Sequence, residues 1–418
     1  MEHTIFSFLD HSVSVYHAVA QIRDRLVADG YCELFESDRW TLVSGGKYFC
    51  VRGGSAIIAF VYDDAARGFL MAATHADSPT FRVKGENKMR GAYTRLSVER
   101  YGGPVLHTWL DRPLSLAGRV LVKEGDALVS RLVNVDRDLC IIPTLAPHLN
   151  RQESFAPNVA VDLQPLLAVG TEASLSGILA QTLGVEECDV VSHDLTLYNR
   201  DRARACGVDG ELLVAPRIDD LGSTYAAMEG FLQAHPSGMI PVLAVFNNEE
   251  VGSMTNEGAA STLLRDVLER VGGENIKPML AGSFLVSADN GHALHPNHPE
   301  FSDAENAPTL GSGVMIKVNS NRAYATDGFS EGVFRTLLSR AGIPTATYYN
   351  RADLRGGSTL GAISDTVVAV PTIDIGLPQI AMHSSNECAA IADVEAMTRA
   401  FVAFFSSAYS KKGDRVTL

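Results

Sequence analysis

Near the start of the chain the apolar positions recur every three to four residues. Val13, Val15, Ala18, Val19, Ile22 and Leu26 fall largely on one face, and Gly30 supplies a stop, which predicts an amphipathic helix. Three short apolar runs follow at YFCVRGG, SAIIAFVY and GFLMAAT and read as strands, the last ending on His75. From about Gly91 to Ala215 the texture changes to short alternating pieces such as GRVLVK and DLCIIPTL, broken by Gly, Pro and charge. That pattern predicts a β-rich module.

A βα rhythm returns at ELLVAPRIDD. STYAAMEGFLQA, SMTNEGAASTLLRDVLERV and FSEGVFRTLLSRAG carry helical spacing, whereas PVLAVFN, SFLVSAD and TVVAVPTIDI read as strands. The predicted fold class is therefore α/β, a mixed-sheet catalytic domain built from both ends of the chain with an inserted β-rich domain. The expected boundaries are 1–90 and 215–418 for the two catalytic parts and 91–214 for the insertion.

Composition narrows the function more than the fold. The chain has 418 residues, of which 46% are hydrophobic and 20% charged, enough to build cores for two domains. A formal charge of −14 argues against nucleic acid or an anionic membrane as partner. The N-terminus has no basic region of a secretory signal, and no apolar run is long enough to cross a bilayer. Cys32, Cys50, Cys140, Cys188, Cys206 and Cys388 have no CxxC spacing. They suit a reducing cytoplasm better than a disulfide framework or a thiolate zinc site.

The strand ends carry the chemistry. Glu249 and Glu250 close PVLAVFNNEE, and in such a pair one carboxylate can bind a metal while its neighbour takes a proton from the attacking water. His75, Asp219, Asp289 and His383 also each follow an apolar run. Ligands in open α/β sheets bind beyond the carboxyl ends of strands, so residues distant in sequence can converge there. Taken singly, each has a plainer reading: Asp219 and Asp220 as helix caps, Asp289 as a turn residue before Asn290 and Gly291. Their recurrence at five strand ends favours the shared reading.

The set suffices for a pair of divalent cations. His75 and Asp289 are expected at one ion, Glu250 and His383 at the other, Asp219 between them, Glu249 as general base, and Asp77 orienting His75. Nitrogen and carboxylate ligands without thiolate point to zinc, with cobalt or manganese as substitutes. His292, His295 and His298 in HALHPNH lack the carboxylate of a metallopeptidase helix motif, and Pro296 and Pro299 break a helix there. They are read as structural or outer-layer residues. GGSTLG lacks the Lys and spacing of a phosphate loop.

THADSPTFRVK, PRIDDLGS, FNNEEVGS, SADNGHALHPN and IAMHSSNE, in that order, resemble the aspartyl aminopeptidase family of di-zinc metallopeptidases. IIPTLAPHLNRQESFAPN is similar to that family's intersubunit segment, and the likeness runs from the N-terminal helix to about Ala392. Carried over residue by residue, it gives His75, Asp219, Glu250, Asp289 and His383 as metal ligands and Glu249 as base. It implies two zinc ions per subunit and removal of unblocked, preferably acidic, N-terminal residues. It also implies a large homo-oligomer, often a dodecamer, in which His148 reaches a neighbouring subunit's site. Two departures lie beside the site: Asn290 and Gly291 stand where a Met-Ala pair is common, and Arg355 and Gly356 where a bulkier run is usual.

An acidic substrate side chain needs a cationic partner, and the expected one is Lys317 in MIKVNSN, with Arg322 just beyond. Two other enzymes could use the same site, a broad leucyl-type aminopeptidase and an N-acyl amide hydrolase. A non-catalytic assembly or cargo protein is the remaining alternative, and a retained base at Glu249 speaks against it.

Overall fold

The computed structural model describes residues 4–89, 91–149, 156–170, 172–354 and 356–418. Four strands with every residue buried form its centre: Phe69–His75, Ile240–Phe246, Phe284–Ala288 and Thr372–Gly376. Their apolar runs are continuous because alternate side chains feed two cores. Leu70 and Ala72 face one core, with Leu243, Val245, Phe284 and Val286. Phe69, Met71 and Ala73 face the other, with Ile240, Val242, Ala244 and Leu285. Each large apolar side chain so buried contributes about 1.5–3 kcal/mol.

These strands lie in a nine-stranded mixed sheet. Its spatial order is Cys32–Glu33, Lys47–Arg52, Ala56–Val61, Ile240–Phe246, Phe69–His75, Phe284–Ala288, Thr372–Gly376, Val314–Val318 and Thr345–Tyr349. The four central strands are mutually parallel. Helices Val15–Ala28, Ile218–Gln233, Gly328–Arg340 and Ile391–Phe405 cover one face, and Leu263–Gly272 and Leu360–Val368 the other. Helices Ile218–Gln233 and Ile391–Phe405 approach closely at Gly230, where a Cβ would lie 2.3 Å from that of Phe401.

A second sheet has six antiparallel strands and its own core around Phe81, Leu96, Trp109, Leu116 and Leu195. Its order is Ala127–Asn134, Leu114–Glu124, Val190–Asn199, Thr80–Met89, Tyr93–Tyr101 and Leu166–Val169. Strand Thr80–Met89, which starts only five residues beyond His75, already belongs to it. A third sheet has five short strands in the order Arg204–Cys206, Leu212–Ala215, Glu387–Ala390, Pro378–Ile380 and Gly291–His292.

Two segments differ from their sequence patterns. Only the second half of SMTNEGAASTLLRDVLERV is helical, Leu263–Gly272. The first half turns through Gly252 and Ser253 at positive φ, and Gly258 packs where a Cβ would lie 2.2 Å from the Ser253 carbonyl oxygen. In TVVAVPTIDI the β-branched residues Thr366–Val368 end the helix Leu360–Val368, and the strand starts at Thr372. Leu360, Ser364 and Val368 are buried at four-residue spacing, and that packing overrides strand propensity. Among the described residues no helix is long and apolar enough to cross a membrane.

Candidate metal centre

Register brings the first two candidate ligands together. Ser287 pairs with Ala73 across adjacent parallel strands, so two residues further on Asp289 comes opposite His75. The His75 imidazole is 1% exposed and its Nε2 lies 3.8 Å from both Asp289 Oδ1 and Asp219 Oδ1. Its Nδ1 lies 3.1 Å from the Asp77 carbonyl oxygen, and a proton donated there leaves the Nε2 lone pair facing the carboxylates.

Asp219 and His383 arrive differently. They follow Leu212–Ala215 and Pro378–Ile380, strands of the small five-stranded sheet, so the five apolar runs that carry site residues do not all belong to one sheet. Left-handed backbone at Arg217 (φ 62°), Ala381 (φ 58°) and His383 (φ 65°) bends both approaches. His383 Nε2 lies 3.5 Å from Asp219 Oδ2 and 3.6 Å from Glu250 Oε2. Its Nδ1 meets the Gly103 carbonyl oxygen at 3.1 Å, which again leaves Nε2 free.

Glu249 and Glu250 lie on a short 3₁₀ turn behind Asn248, whose φ is 61°. The Asp77 carboxylate accepts both of their backbone N–H groups, at 3.1 and 3.2 Å, and the Tyr101 hydroxyl at 2.7 Å. Tyr101 and Gly102 bring the end of a six-stranded-sheet strand against the turn. Gly102 sits at φ 68°, where an added Cβ would be 3.1 Å from Glu250 Cβ.

The donor atoms form three clusters, each within 4.8 Å: His75, Asp219 and Asp289; His75, Glu249 and Glu250; and Asp219, Glu250 and His383. These residues fit a metal pair on two observations. The buried Asp219 Oδ1 has no hydrogen-bond partner, a state that is costly without a cation beside it. The carboxylates also repel one another. Burial, with the charges of Asp289, Asp77 and Asp219, raises Glu249 to about 8. Burial and the Asp219 charge raise Glu250 well above the usual range and Glu387 to about 8.

A profile described as Aminopeptidase I zinc metalloprotease (M18) matches residues 8–405. The chain belongs to the M18 family. It is a zinc metallo-aminopeptidase by that membership. A probable M18 family aminopeptidase 2 of Clostridium novyi (strain NT) is 37% identical over 96% of this chain and 98% of its own length. The Ape4 chain solved in complex with Nbr1 superimposes with a TM-score of 0.93 at 33% identity, covering 96% of this chain and 84% of that one. The S. cerevisiae mApe1 dodecamer gives 0.85 at 26% identity, over 96% and 95% of the two chains.

The M18 chain also holds its other candidates in definite places. Lys317 is 2% exposed. Its ammonium donates to the Asn290 carbonyl oxygen at 2.7 Å, lies 3.8 Å from Asp289 Oδ2, and stands over the Tyr324 ring. Burial opposes its charge, yet Asp289, Tyr324, Asp374 and Asp219 together outweigh that and raise its pKa. Arg322 does not join the cluster: it lies in an exposed turn and donates to the Ala325 carbonyl oxygen. His148 is exposed in the turn 147–149, outside the donor clusters of this chain. Arg355 and residues 150–155 of the intersubunit-like stretch lie outside the described residues.

The histidines of HALHPNH stand outside the donor clusters. His292, His295 and His298 line a cavity of about 410 Å³ together with Arg351 and Ala381, two residues before His383. Gly291 and His292 pair as a strand with Pro378 and Gln379, which carries this non-helical segment to the cavity beside the centre. Sequence reasoning also passed over Glu387. Its carboxylate accepts the backbone N–H groups of both Asp219 and His383, at 2.9 and 2.7 Å. The only available signal was an acidic residue four places after His383 in a turn-rich run.

Proposed function

We propose that this M18 aminopeptidase removes unblocked N-terminal residues from peptides at a two-zinc centre. His75 and Asp289 would hold one ion, Glu250 and His383 the other, with Asp219 spanning both. One observation carries the reading: the two oxygens of Asp219 face different imidazoles, Oδ1 toward His75 and Oδ2 toward His383. Nitrogen and oxygen donors suit zinc and accept cobalt or manganese. Bound there, the ions supply Lewis acidity toward the scissile carbonyl and lower the pKa of water.

Glu249 moves the proton. Its carboxylate takes it from the attacking water and returns it to the leaving amine nitrogen. Asp77 holds the Glu249 turn in place through two backbone N–H groups. The substrate's free α-amine pairs with the carboxylate cluster, which restricts cleavage to the terminal residue. The cavity carrying His292, His295, His298 and Arg351 has no carboxylate among its described lining residues and supports a preference for N-terminal Asp or Glu.

Segment 91–214 is assigned to assembly into a homo-oligomer in which His148 reaches a neighbour's site. The dodecameric relative supports that reading. The free cysteines agree with a cytoplasmic setting. The test is a fluorogenic panel of Asp, Glu, Leu, Ala and N-acyl amides. It is run before and after chelation and on return of zinc, cobalt or manganese, with metal content measured in parallel. Hydrolysis of N-acyl amides alone would overturn the aminopeptidase reading, and faster cleavage of Leu than of Asp would remove the acidic preference.

A further inference from the structure

Asp77 and Glu387 are buried carboxylates that stand in the same relation to the two sides of the centre. Asp77 receives the backbone N–H groups of Glu249 and Glu250, and Glu387 those of Asp219 and His383. Asp219 lies in the non-helical first turn of Ile218–Gln233 and His383 in a loop after a three-residue strand, so no hydrogen-bonded ladder fixes one against the other. Among the described residues, Glu387 is the single side chain that bonds to both backbones. It is 2% exposed, and each of its oxygens is used.

Its own strand is secured in turn. Glu387 opens Glu387–Ala390 and pairs with Ala215, the end of the strand leading to Asp219. Just before it, Ser385 donates its hydroxyl to the Thr108 carbonyl oxygen at 2.5 Å and its backbone N–H to the Thr108 hydroxyl oxygen at 3.0 Å. Asn199 donates to the Ser385 carbonyl oxygen at 2.9 Å, and Asn386 donates to the Asp201 carboxylate. Glu387 therefore takes its position from both the small sheet and the neighbouring six-stranded-sheet region.

We propose that Glu387 is a positioning residue that sets the spacing of Asp219 and His383 and so determines how tightly the Asp219–Glu250–His383 side takes its metal ion. The inference rests on the two-zinc reading above. The Glu387 carboxylate presents two acceptors to two N–H groups. In Glu387→Gln one becomes an NH₂, which opposes an N–H and leaves it unsatisfied. The backbones on either side then separate, although no ligand atom has been removed. Losses of partners behind metal ligands typically weaken metal binding about 10- to 100-fold.

The experiment is a zinc titration of the metal-free full-length protein with a competing chelator, alongside thermal unfolding and steady-state kinetics. Glu387→Gln should keep one tight ion and bind the second about 10- to 100-fold more weakly. Its turnover at limiting zinc should fall, with KM unchanged and activity returning at high zinc. Glu387→Asp, which keeps the charge but shortens the reach, should lie between it and wild type, and it decides the question if the Gln variant does not fold. A merely structural role predicts a lower Tm with both zinc affinities as in wild type, and that result overturns the proposal. Wild type binding fewer than two ions would overturn the two-zinc reading and the clamp with it. Two tight ions in wild type and equally tight ions in both variants would overturn the clamp alone.

Discussion

His75 and His383 present the same Nε2 atom to the same carboxylate and reach it by opposite means. His75 is the last residue of a strand buried on both faces, and parallel register alone sets Asp289 opposite it. His383 sits on a loop at positive φ with a side chain 32% exposed, fixed by the Gly103 carbonyl and the Glu387 carboxylate. The first half of the centre is a product of the hydrophobic core. The second is a product of polar contacts among three sheets, and such contacts are easier to loosen without unfolding the chain.

Asp219 is where the halves join, so its loss erases the comparison. Asp219→Asn should lose both ions and reduce hydrolysis by at least about 10³-fold, beyond the effect of losing the base alone. Metal analysis after gel filtration checks it. Retention of one ion at wild-type affinity would mean that the halves do not share Asp219. Glu249→Gln separates chemistry from binding: turnover should fall about 10²–10⁴-fold with metal content near wild type. Equal loss of metal in that variant would make Glu249 a ligand.

The same contrast governs what could be read from the chain. PVLAVFN, GFLMAAT and SFLVSAD are continuous apolar runs because their strands are covered on both faces, and such runs are visible in sequence together with the residues that end them. Asp219 and His383 were recognisable as residue types and through the PRIDDLGS and IAMHSSNE motifs. Their attachment to a separate small sheet was not, since strands of three or four residues leave little periodic signal. Glu387 meets the backbone of Asp219 and Gly102 the Cβ of Glu250, both far away in sequence, and no local pattern encodes such contacts. TVVAV failed for the opposite reason: local β propensity was strong, and a buried helix face prevailed.

The two histidines give the direct comparison. His75→Ala leaves a buried gap and strips Asp77 and Asp289 of a partner, so the metal-free protein should lose about 2–4 kcal/mol of stability as well as one zinc. His383→Ala should lose the other zinc while costing the metal-free protein about 1 kcal/mol or less, because that side chain is partly in solvent. Denaturant unfolding of the chelated proteins measures the difference. Equal costs would contradict the division into a core-built half and a contact-built half.

A subtler change reaches the second half through its neighbour. Gly102→Ala places a Cβ at φ 68° and 3.1 Å from Glu250 Cβ. The backbone strain is about 1 kcal/mol, and the contact displaces Glu250 from its place beside His383. Zinc affinity should weaken on the Glu250–His383 side alone, with the His75–Asp289 side unaffected, as site-resolved cobalt spectra would report. Weakening of both sides would place the contact at Asp219 instead.

The smallest effect concerns the cavity beside the centre. Lys317, the cation expected there from sequence, is occupied by Asp289 and the Asn290 carbonyl and is almost inaccessible. Replacing it should impair all substrates together through the unpaired Asp289. Arg351 lies on the cavity wall, but its side chain is 40% exposed and already pairs with Asp353 at 2.8 Å, so solvent and that partner reduce what it can add. Arg351→Met should therefore lower kcat/KM for N-terminal Asp and Glu by about 0.5–1 kcal/mol and leave Leu and Ala substrates unchanged. The ratio of Asp to Leu hydrolysis is the measurement, because it cancels any loss of active enzyme. A ratio that does not move would take Arg351 out of substrate recognition and leave the cavity histidines as the remaining donors to an acidic side chain.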